Sequence, residues 1–391
     1  MKVCFLTAQY PPLSRTYRRF QFARLLAEGG CDIEVVTHGN ISKALGTFVD
    51  DPEMVSSTSP WPVHRPRAMP WYLTGEVLFR LGGVPCPYVN WVAAATRAAS
   101  RIVGPEDVVC SVYPPLSNHL AAYRTAQRTG ARLVLDFRDE YLGLSSGLRR
   151  WQARRWQARL LKAADLVSVA TQRVADGFVQ QGLAAERIHL TENGYWEAPD
   201  PLPAYPSTER VSILYVGALS AAQAPEILCQ AMTLLHRDAP RLAERLKVEI
   251  FGPDNPYCRS VLLPSLVPGV SYGGYLAANR VSEALLSAHV GFLSLASANY
   301  AYAVPGKLYD YIAHARPILA ALPTGAASEL IERDGIGLVA PCGDAGALAR
   351  HLAELAEGSV CRRLHEQVLT VRPQHAARPH FLSLAERIQS L

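Results

Sequence analysis

A lysine and an aspartate stand three residues apart at the start of one predicted helix in the second half of the chain. Pro305 and Gly306 open this helix, Lys307 follows at once, and Asp310 comes one turn later. Residues three apart share a side of a helix, so both charges lie off its apolar face. A helix N-terminus with a lysine suits a diphosphate, and the carboxylate can accept hydrogen bonds from ribose hydroxyls. The alternative is an exposed charge pair, worth about a few tenths of a kcal/mol.

Four charged residues surround one phenylalanine where a predicted strand of the first half ends, at 136–140. Arg138 can pair with Asp136 or Asp139 as a rigid structural clamp, or the carboxylates can accept hydrogen bonds from substrate hydroxyls. Arg138 and Asp139 are therefore candidate catalytic residues. His119, near the start of another predicted helix, is a third candidate, although a lone histidine more often has a structural role.

The turn after the first predicted strand contains Ser14 and Arg15 and leads into a predicted helix over 16–27. The free N–H groups at the start of that helix, with Arg15 beside them, are suited to holding an anion. Both residues are therefore candidates for binding a phosphate. The alternative is an ordinary turn from strand to helix in which Ser14 caps the helix.

The predicted elements that position these residues are strands and helices that alternate through both halves of the chain. Short runs rich in β-branched residues are followed by longer amphipathic runs. This pattern is typical of parallel sheets flanked by helices, which bind ligands beyond the carboxyl ends of their strands. Residues 41–90 are less regular and are predicted to form loops and short helices. The predicted strands are 2–6, 32–37, 108–112, 132–137, 166–169, 188–191, 211–216, 247–251, 270–272, 290–295, 318–321 and 337–339.

A proline-rich stretch divides the chain almost at its middle, because four prolines fall within residues 196–206 and break both helix and strand. A chain of 391 residues is also long enough for two domains. The sequence therefore predicts a first domain over 1–198, a second over 199–375, and a separate terminal helix over 376–391.

Composition places the protein among globular chains with large cores, since 49% of its residues are hydrophobic and 19% are charged. The eight cysteines form no CxxC pair and are expected to be small core residues in a reducing compartment. No apolar run is long enough to cross a membrane, so a cytoplasmic protein is expected. An Asp-x-Asp pair and clustered histidines are both missing from the sequence, so no metal ion and no cofactor are expected.

One predicted helix carries the basic excess of the chain. The net charge is +5, and residues 148–162 contain six cations and no acid. A basic helix with two tryptophans suits anionic lipid headgroups, which predicts peripheral contact with the inner face of a membrane through Arg149, Arg150, Arg154 and Arg155. The alternative is a helix whose arginines pair with acids of the fold. No nucleic acid is expected, because no aromatic-studded sheet or zinc-ligand spacing accompanies the charge.

The order of motifs resembles the bacterial glycosyltransferases of the GT-B fold, in particular the retaining enzymes of family 4. The similarity extends over nearly the whole chain. The motifs that carry it are Asp136-Phe137-Arg138-Asp139, Glu192-Asn193-Gly194, Tyr215-Val216-Gly217-Ala218-Leu219, Pro305-Gly306-Lys307-Leu308-Tyr309-Asp310-Tyr311-Ile312-Ala313 and Arg316-Pro317-Ile318-Leu319-Ala320.

The resemblance implies an α/β protein of two Rossmann-like, doubly wound parallel-sheet domains that face each other across a cleft. A nucleoside-diphosphate-sugar donor would bind mainly to the second domain and an acceptor to the first. The closing helix would cross back to the first domain.

Site residues carry over by position. Lys307 would contact the diphosphate, and Asp310, where the family usually has Glu, would hold the ribose. Gly217 would leave room for the phosphates, while Gly274 and Tyr275 would flank the base. His119 and Asp139 would face the transferred sugar or the acceptor.

Three departures from the family pattern concern the phosphates. The first turn has Leu13-Ser14-Arg15 in place of the usual Gly-Gly pair, and Ala218 and 221–223 stand where an Arg and a Lys are common. Tyr302 occupies the position of the first Glu of the two-carboxylate motif. Phosphate neutralisation would then depend on Lys307, helix N-termini and Arg15.

The expected function is sugar transfer from a nucleoside diphosphate to a saccharide, lipid-linked or small-molecule acceptor, with retention, in cell-surface polysaccharide or natural-product assembly. An epimerase or hydrolase of nucleotide sugars on the same fold is one alternative. A non-catalytic nucleotide-sugar-binding scaffold subunit is another, and the departures at Ala218, Ala222 and Tyr302 favour it.

Overall fold

The computed structural model describes residues 1–11, 17–38, 59–67, 75, 77–79, 81, 84, 86, 88–139, 147–207 and 209–391. These residues form two compact units. The first consists of Met1–Glu192 together with Ala377–Leu391, and the second of Asn193–Ala376.

The first unit contains seven described strands and six described helices of eight residues or more. In chain order they are β1 Lys2–Thr7, α1 Tyr17–Glu28, β2 Asp32–Thr37, β3 Val63–His64, α2 Val89–Ala99, β4 Val108–Tyr113, α3 Leu116–Thr129, β5 Arg132–Phe137, α4 Gly147–Ala163, β6 Leu166–Val169, α5 Gln172–Gln180 and β7 Ile188–Leu190. The sixth helix comes from the end of the chain, and its range is given below.

The second unit contains six described strands and six helices of at least eight residues. They are β8 Val211–Val216, α6 Ile227–Asp238, β9 Leu246–Phe251, β10 Val270–Tyr272, α7 Ala278–Ser287, β11 Val290–Ser294, α8 Gly306–Ala313, β12 Ile318–Leu322, α9 Ala326–Asp334, β13 Gly337–Pro341, α10 Ala345–Ala356 and α11 Ser359–Val371. The helix that closes the chain, α12 Ala377–Gln389, belongs to the first unit.

Both sheets are wholly parallel, with orders β3-β2-β1-β4-β5-β6-β7 and β10-β9-β8-β11-β12-β13. In each, the strand order reverses beside the first strand of its unit, at the β1/β4 and β8/β11 boundaries. Such a reversal leaves a crevice at the carboxyl edge of the sheet, where ligands of open α/β sheets bind. The predicted fold class, two doubly wound parallel sheets with flanking helices, is confirmed.

The twelve predicted strands all form, with ends that differ by at most two residues from the predicted ones. They are recognisable because strands buried on both faces are nearly continuous apolar runs, as in β11, where all five residues are buried. The prediction for 41–90 is wrong at one point. Val63 and His64 pair with Val35 and Val36 and add an edge strand to the first sheet, too short for any periodicity to reveal.

The closing helix α12 packs on α1 within the first unit. The Phe22 and Phe381 rings meet edge to face with centroids 4.8 Å apart, and Phe22 contacts Phe5 in the same way at 5.2 Å. Gly29, at the end of α1, leaves no room for a side chain, because an added Cβ would lie 2.7 Å from Cβ of Ala385. The end of the chain is thus part of the apolar core of the first unit.

The eight cysteines are free, and seven of them are buried, with Cys342 half-buried. They act as small core residues. Among the helices within the described part of the chain, none combines the length and the apolar character needed to cross a membrane.

Candidate functional site

Lys307 lies at the β8/β11 crevice of the second unit with its ammonium group out of contact with solvent. The residue as a whole is half-buried, but Nζ itself is buried and has no hydrogen-bond partner among the described residues. It lies 3.7 Å from the centroid of the Tyr215 ring. Burial lowers the pKa of Lys307 to about 7, against the opposing field of Asp310. The site therefore contains a desolvated cation with no paired anion.

Gly217, the first residue after β8, lies directly against this cation. Its φ of +154° is a value that side chains rarely adopt. A Cβ added there would lie 2.8 Å from Nζ of Lys307. A side chain at this position would collide with the ammonium group, so a glycine is required here. The role in phosphate binding that the family resemblance implies for Gly217 stays a prediction.

Hydrogen bonds to backbone carbonyl oxygens hold the turn after β8 in place. Gly217 N donates to Phe251 O at 3.0 Å, Tyr215 Oη donates to Ala218 O at 2.5 Å, and Asn255 Nδ2 donates to Leu219 O at 2.9 Å. Across the crevice, Ala296 N donates to Ala222 O at 2.9 Å, which ties the segment after β11 to this turn.

The N–H groups of this turn are available to a ligand. In the part of the chain that the structure describes, no acceptor meets the backbone N–H of Ala218, Leu219 or Ser220. Helix α8 begins at Gly306 with free N–H groups of its own, as every helix start does. Together with the ammonium group of Lys307, these donors form an anion-binding arrangement.

Of the other predicted donor-binding residues of the second unit, Asp310 and Tyr275 are exposed and Gly274 is half-buried. Asp310 lies on α8 one turn after Lys307 and is exposed, and its charge raises the pKa of that lysine. Tyr275 is 74% exposed, directly after Gly274, whose φ is +79°. A ring this exposed on a glycine turn is free to stack on a flat ligand.

At the departure positions that the structure describes, Ala218, 221–223 and Tyr302, no cationic side chain is present. Tyr302 is 93% buried, and Ala222 contributes only its backbone. Arg259, in the helical segment after β9, is in an ion pair with Asp254 at 2.8 Å. Among the described residues, Lys307 is the cation that lies directly against this turn.

Of the two interpretations of Arg138, the structure shows the clamp. The guanidinium group holds the fully buried Asp136 carboxylate through two hydrogen bonds, the one from Nε being 2.6 Å long. It also donates to Thr191 O at 2.6 Å and lies 4.7 Å from the ring centroid of Phe381. This ion pair ties β5, the segment after β7 and α12 together, which leaves the guanidinium group bound to the fold.

His119 lies in the core of the first unit and is fully buried on α3. Its Nδ1 is hydrogen-bonded to Ser111 Oγ at 2.8 Å, and its ring meets Phe137 edge to face at 4.5 Å. Burial lowers the pKa of His119 to about 3, so the ring is neutral at physiological pH. Its Nε2 has no hydrogen-bond partner among the described residues.

Asp139 is half-buried at the carboxyl end of β5, next to Arg138. Ser14 and Arg15 lie outside the described residues. The structure brings together Gly217 and Lys307, with Asp310 on the same helix, at the crevice of the second unit, and it places Arg138 and Asp139 after β5 and His119 on α3 in the first unit. The catalytic roles predicted for the residues of the first unit stay predictions.

Tyr215 and the amide turn are the part of the site that sequence reasoning missed. Tyr215 belongs to a buried strand and looks like an ordinary core residue. One signal was available: successive residues of a strand point to opposite sides, so Tyr215 and Gly217 share a side. No group of three or more His, Cys, Asp or Glu within the described residues is arranged to hold a metal ion.

Helix α4 presents most of its cations to solvent. Arg150, Arg154, Arg155, Arg159 and Lys162 are all exposed, and no carboxylate among the described residues pairs with them. Two of the arginines lie on tryptophan rings, Arg155 on Trp151 at 4.7 Å and Arg159 on Trp156 at 5.2 Å. Trp151 is itself 54% exposed. The described face therefore combines unpaired positive charge with an exposed indole.

Two family models match the sequence. The Glycosyl transferase 4-like domain matches residues 17–194, and the Glycosyl transferases group 1 model matches residues 210–358. No curated protein matches the sequence significantly.

Solved structures resemble the chain over its whole length. HepE of Anabaena, in complex with UDP, has a TM-score of 0.70 at 16% identity, with 100% of both chains covered. An Escherichia coli structure described as trehalose-6-phosphate bound with UDP-2-fluoro glucose has a TM-score of 0.71 at 12% identity, covering 100% of this chain and 99% of the other. WaaG, a glycosyltransferase involved in lipopolysaccharide biosynthesis, gives 0.67 at 14% identity, with 99% of each chain covered. At these low sequence identities, the structural similarity establishes the fold of the chain.

The Arg138 clamp gives a prediction about stability. Arg138→Ala leaves the Asp136 carboxylate buried without its partner, which is expected to lower the free energy of unfolding by about 3–5 kcal/mol. Urea unfolding measures this loss. The matched control is Arg132→Ala, which removes an exposed ion pair with Asp165 and is expected to cost about 1 kcal/mol or less. Equal losses in the two variants would contradict the clamp.

Proposed function

Since the chain belongs to the glycosyltransferases of the GT-B type and resembles family 4, we propose that it transfers a sugar from a nucleoside diphosphate sugar to a saccharide, lipid-linked or small-molecule acceptor. Retention of configuration and a place in cell-surface polysaccharide or natural-product assembly are part of this proposal. The nucleotide binds to the second unit, and a uridine diphosphate sugar is the first donor to test, because structural neighbours hold UDP and UDP-glucose.

The observation that carries the proposal is the buried ammonium group of Lys307. Taking a charge out of water costs free energy unless a partner compensates it. Within the described residues, Nζ lies against an aromatic face and has no hydrogen-bond partner, and the carboxylate whose field reaches it, Asp310, is not in an ion pair with it. A diphosphate between Gly217 and the start of α8 supplies such a partner.

The same arrangement accounts for the chemistry of the transfer. When the bond between the anomeric carbon and the diphosphate oxygen breaks, the electron pair of that bond leaves with the diphosphate. The oxygen of the acceptor hydroxyl forms the new bond to the anomeric carbon, and its proton passes to the departing phosphate. Positive charge fixed in place before the reaction stabilises the leaving group in the transition state. We propose that Lys307 and the backbone N–H donors perform this task without a metal ion or other cofactor.

We propose that the acceptor binds to the first unit, where Asp139 and His119 are the residues assigned to the transferred sugar or the acceptor. His119 is neutral and buried, so we propose that its part in acceptor binding is to shape the site. Asp139, half-buried at the carboxyl end of β5, is the residue that we propose to accept hydrogen bonds from hydroxyl groups.

A peripheral contact with the cytoplasmic face of a membrane is the second part of the proposal. Its support is helix α4, whose described part carries five exposed cations and an exposed tryptophan. Arg149, Arg150, Arg154 and Arg155 are the residues assigned to anionic headgroups.

Lys307→Ala is expected to weaken UDP binding by about tenfold to a hundredfold, the loss of one charge-assisted hydrogen bond. Isothermal calorimetry measures it. The matched control is Lys247→Ala, which removes an exposed lysine of the same unit and is expected to leave the affinity unchanged. Asp310→Ala is expected to weaken UDP but not inorganic pyrophosphate, because its partner is the ribose. The donor assignment is wrong if wild type binds neither ligand, or if Lys307→Ala binds both normally.

Donor turnover distinguishes the transferase from its alternatives. Incubating the protein with UDP sugars and a panel of saccharide and lipid-linked acceptors is expected to release UDP only when a suitable acceptor is present. Release of UDP without acceptor would indicate a hydrolase, and a changed sugar still attached to UDP would indicate an epimerase. Donor binding without turnover across the panel would favour the scaffold.

Donor affinity is expected to fall as pH rises. Lys307 has a pKa of about 7 in the free protein, and a bound diphosphate favours its charged form and raises that pKa. Below pH 7 the lysine is already charged and the affinity is constant. Above pH 7 binding requires proton uptake, so the affinity falls by up to about tenfold per pH unit.

UDP-glucose is the ligand for this titration, because the terminal phosphate of UDP itself titrates near neutrality. Lys307→Ala is the control and is expected to give a flat profile. A wild-type profile that is equally flat from pH 6 to 9 would exclude Lys307 as the contact.

Membrane binding is tested with the quadruple variant in which Arg149, Arg150, Arg154 and Arg155 become Gln. Flotation with vesicles containing phosphatidylglycerol is expected to fall more than tenfold, since each cation near an anionic surface contributes about 1 kcal/mol. The control changes Arg237, Arg241, Arg245 and Arg280 of the second unit to Gln, which alters the net charge equally. Equal flotation of the two variants would refute the role of α4.

A further inference from the structure

We infer that Tyr215 is a positioning residue for sugar transfer, which holds the Lys307 ammonium group with its ring and fixes the amide turn after β8 with its hydroxyl group. The inference rests on the proposed function. It makes Tyr215 the residue that sets the positions of the groups in the phosphate site. Tyr215 is itself fully buried, so it acts through the lysine and the turn and does not contact the donor.

The ring supplies the first part of the role. Nζ of Lys307 lies 3.7 Å from the centroid of the Tyr215 ring, well within the range of a cation–π interaction. A lysine side chain has four rotatable bonds, so an ammonium group without a fixed partner has many positions available. The aromatic face restricts Nζ to one of them and compensates part of its desolvation.

A neighbouring aromatic side chain supports the position of the ring. Tyr215 packs against Phe292 of the neighbouring strand β11, with centroids 6.3 Å apart. Gly217, two residues further along the chain, carries no side chain that would cover Lys307, and an added Cβ there would lie 2.8 Å from Nζ. The ammonium group is thus enclosed by an aromatic face and a glycine.

The hydroxyl group supplies the second part. Tyr215 Oη donates to Ala218 O at 2.5 Å, and burial raises the pKa of Tyr215 well above its usual value, so the proton stays on the oxygen. With Ala218 O and Leu219 O both engaged, the polar groups of the turn left for a ligand include the N–H groups of Ala218, Leu219 and Ser220. One side chain therefore sets both the cation and the amide donors.

Two substitutions separate these roles. Tyr215→Phe retains the ring and loses the hydrogen bond to Ala218, whereas Tyr215→Leu loses both. The Lys307 titration in the ligand-free protein is followed by NMR of 13Cε-labelled lysine, with the Lys307 signal assigned by its loss in Lys307→Ala. UDP-glucose and pyrophosphate affinities are measured by calorimetry on the same variants.

In Tyr215→Leu the titration midpoint of Lys307 is expected to fall by about half a pH unit or more, since loss of the ring disfavours the charged form. UDP-glucose binding is expected to weaken by about tenfold. In Tyr215→Phe the midpoint is expected to stay within about 0.3 pH units of wild type, with binding weakened about threefold to tenfold through the loosened turn. Tyr205→Leu removes another largely buried tyrosine of this unit and is expected to leave the Lys307 midpoint unchanged.

A Lys307 midpoint that is unchanged or higher in Tyr215→Leu would overturn the role of the ring, whether or not the protein binds nucleotides. UDP-glucose affinity in Tyr215→Phe equal to that of wild type would overturn the role of the hydroxyl group. Failure of wild type to bind UDP-glucose or pyrophosphate would instead refute the proposed function, while the NMR titration would still test the contact between the ring and the ammonium group.

Discussion

A cation removed from water without an anion beside it is the constraint on which the second unit depends. The Lys307 ammonium group is buried at the carboxyl edge of a parallel sheet, where it lies against an aromatic ring and a glycine and has no hydrogen-bond partner among the described residues. Burial brings the pKa of this lysine down to about 7. A buried charge without a hydrogen-bond partner, located where the strand order of a parallel sheet reverses, is typical of a binding site.

The fold supplies each part of that arrangement for a definite reason. Because β8 and β11 are adjacent while their following segments diverge, the turn after β8 and the start of α8 meet at one crevice. Gly217 is needed there because any side chain would collide with Lys307. In the first unit a different buried cation has its partner: Arg138 is bound to Asp136 and stabilises the sheet and α12. The fold pairs Arg138 with a carboxylate, whereas the Lys307 ammonium group has no hydrogen-bond partner among the described residues.

The sequence predicted the sheets well, because strands buried on both faces are continuous apolar runs, and it placed Lys307 and Asp310 on one helix by their spacing. It could not decide between the two interpretations of Arg138, since a clamp and an open site use the same residues. The pairing of Tyr215 with Lys307 joins residues 92 positions apart, and no local pattern reveals such a contact. For His119 the motif indicated a candidate, whereas its complete burial follows from the packing of α3 on β4 and β5.

The most direct test of this account is a crystal structure of the protein with UDP-glucose. The account predicts the diphosphate within hydrogen-bond distance of Lys307 Nζ and of N–H groups in the turn 217–220, with the ribose hydroxyls at Asp310 and no metal ion between the phosphates and the protein. A diphosphate bound elsewhere, or held through a metal ion with Nζ of Lys307 still against Tyr215 and without a phosphate contact, would contradict it.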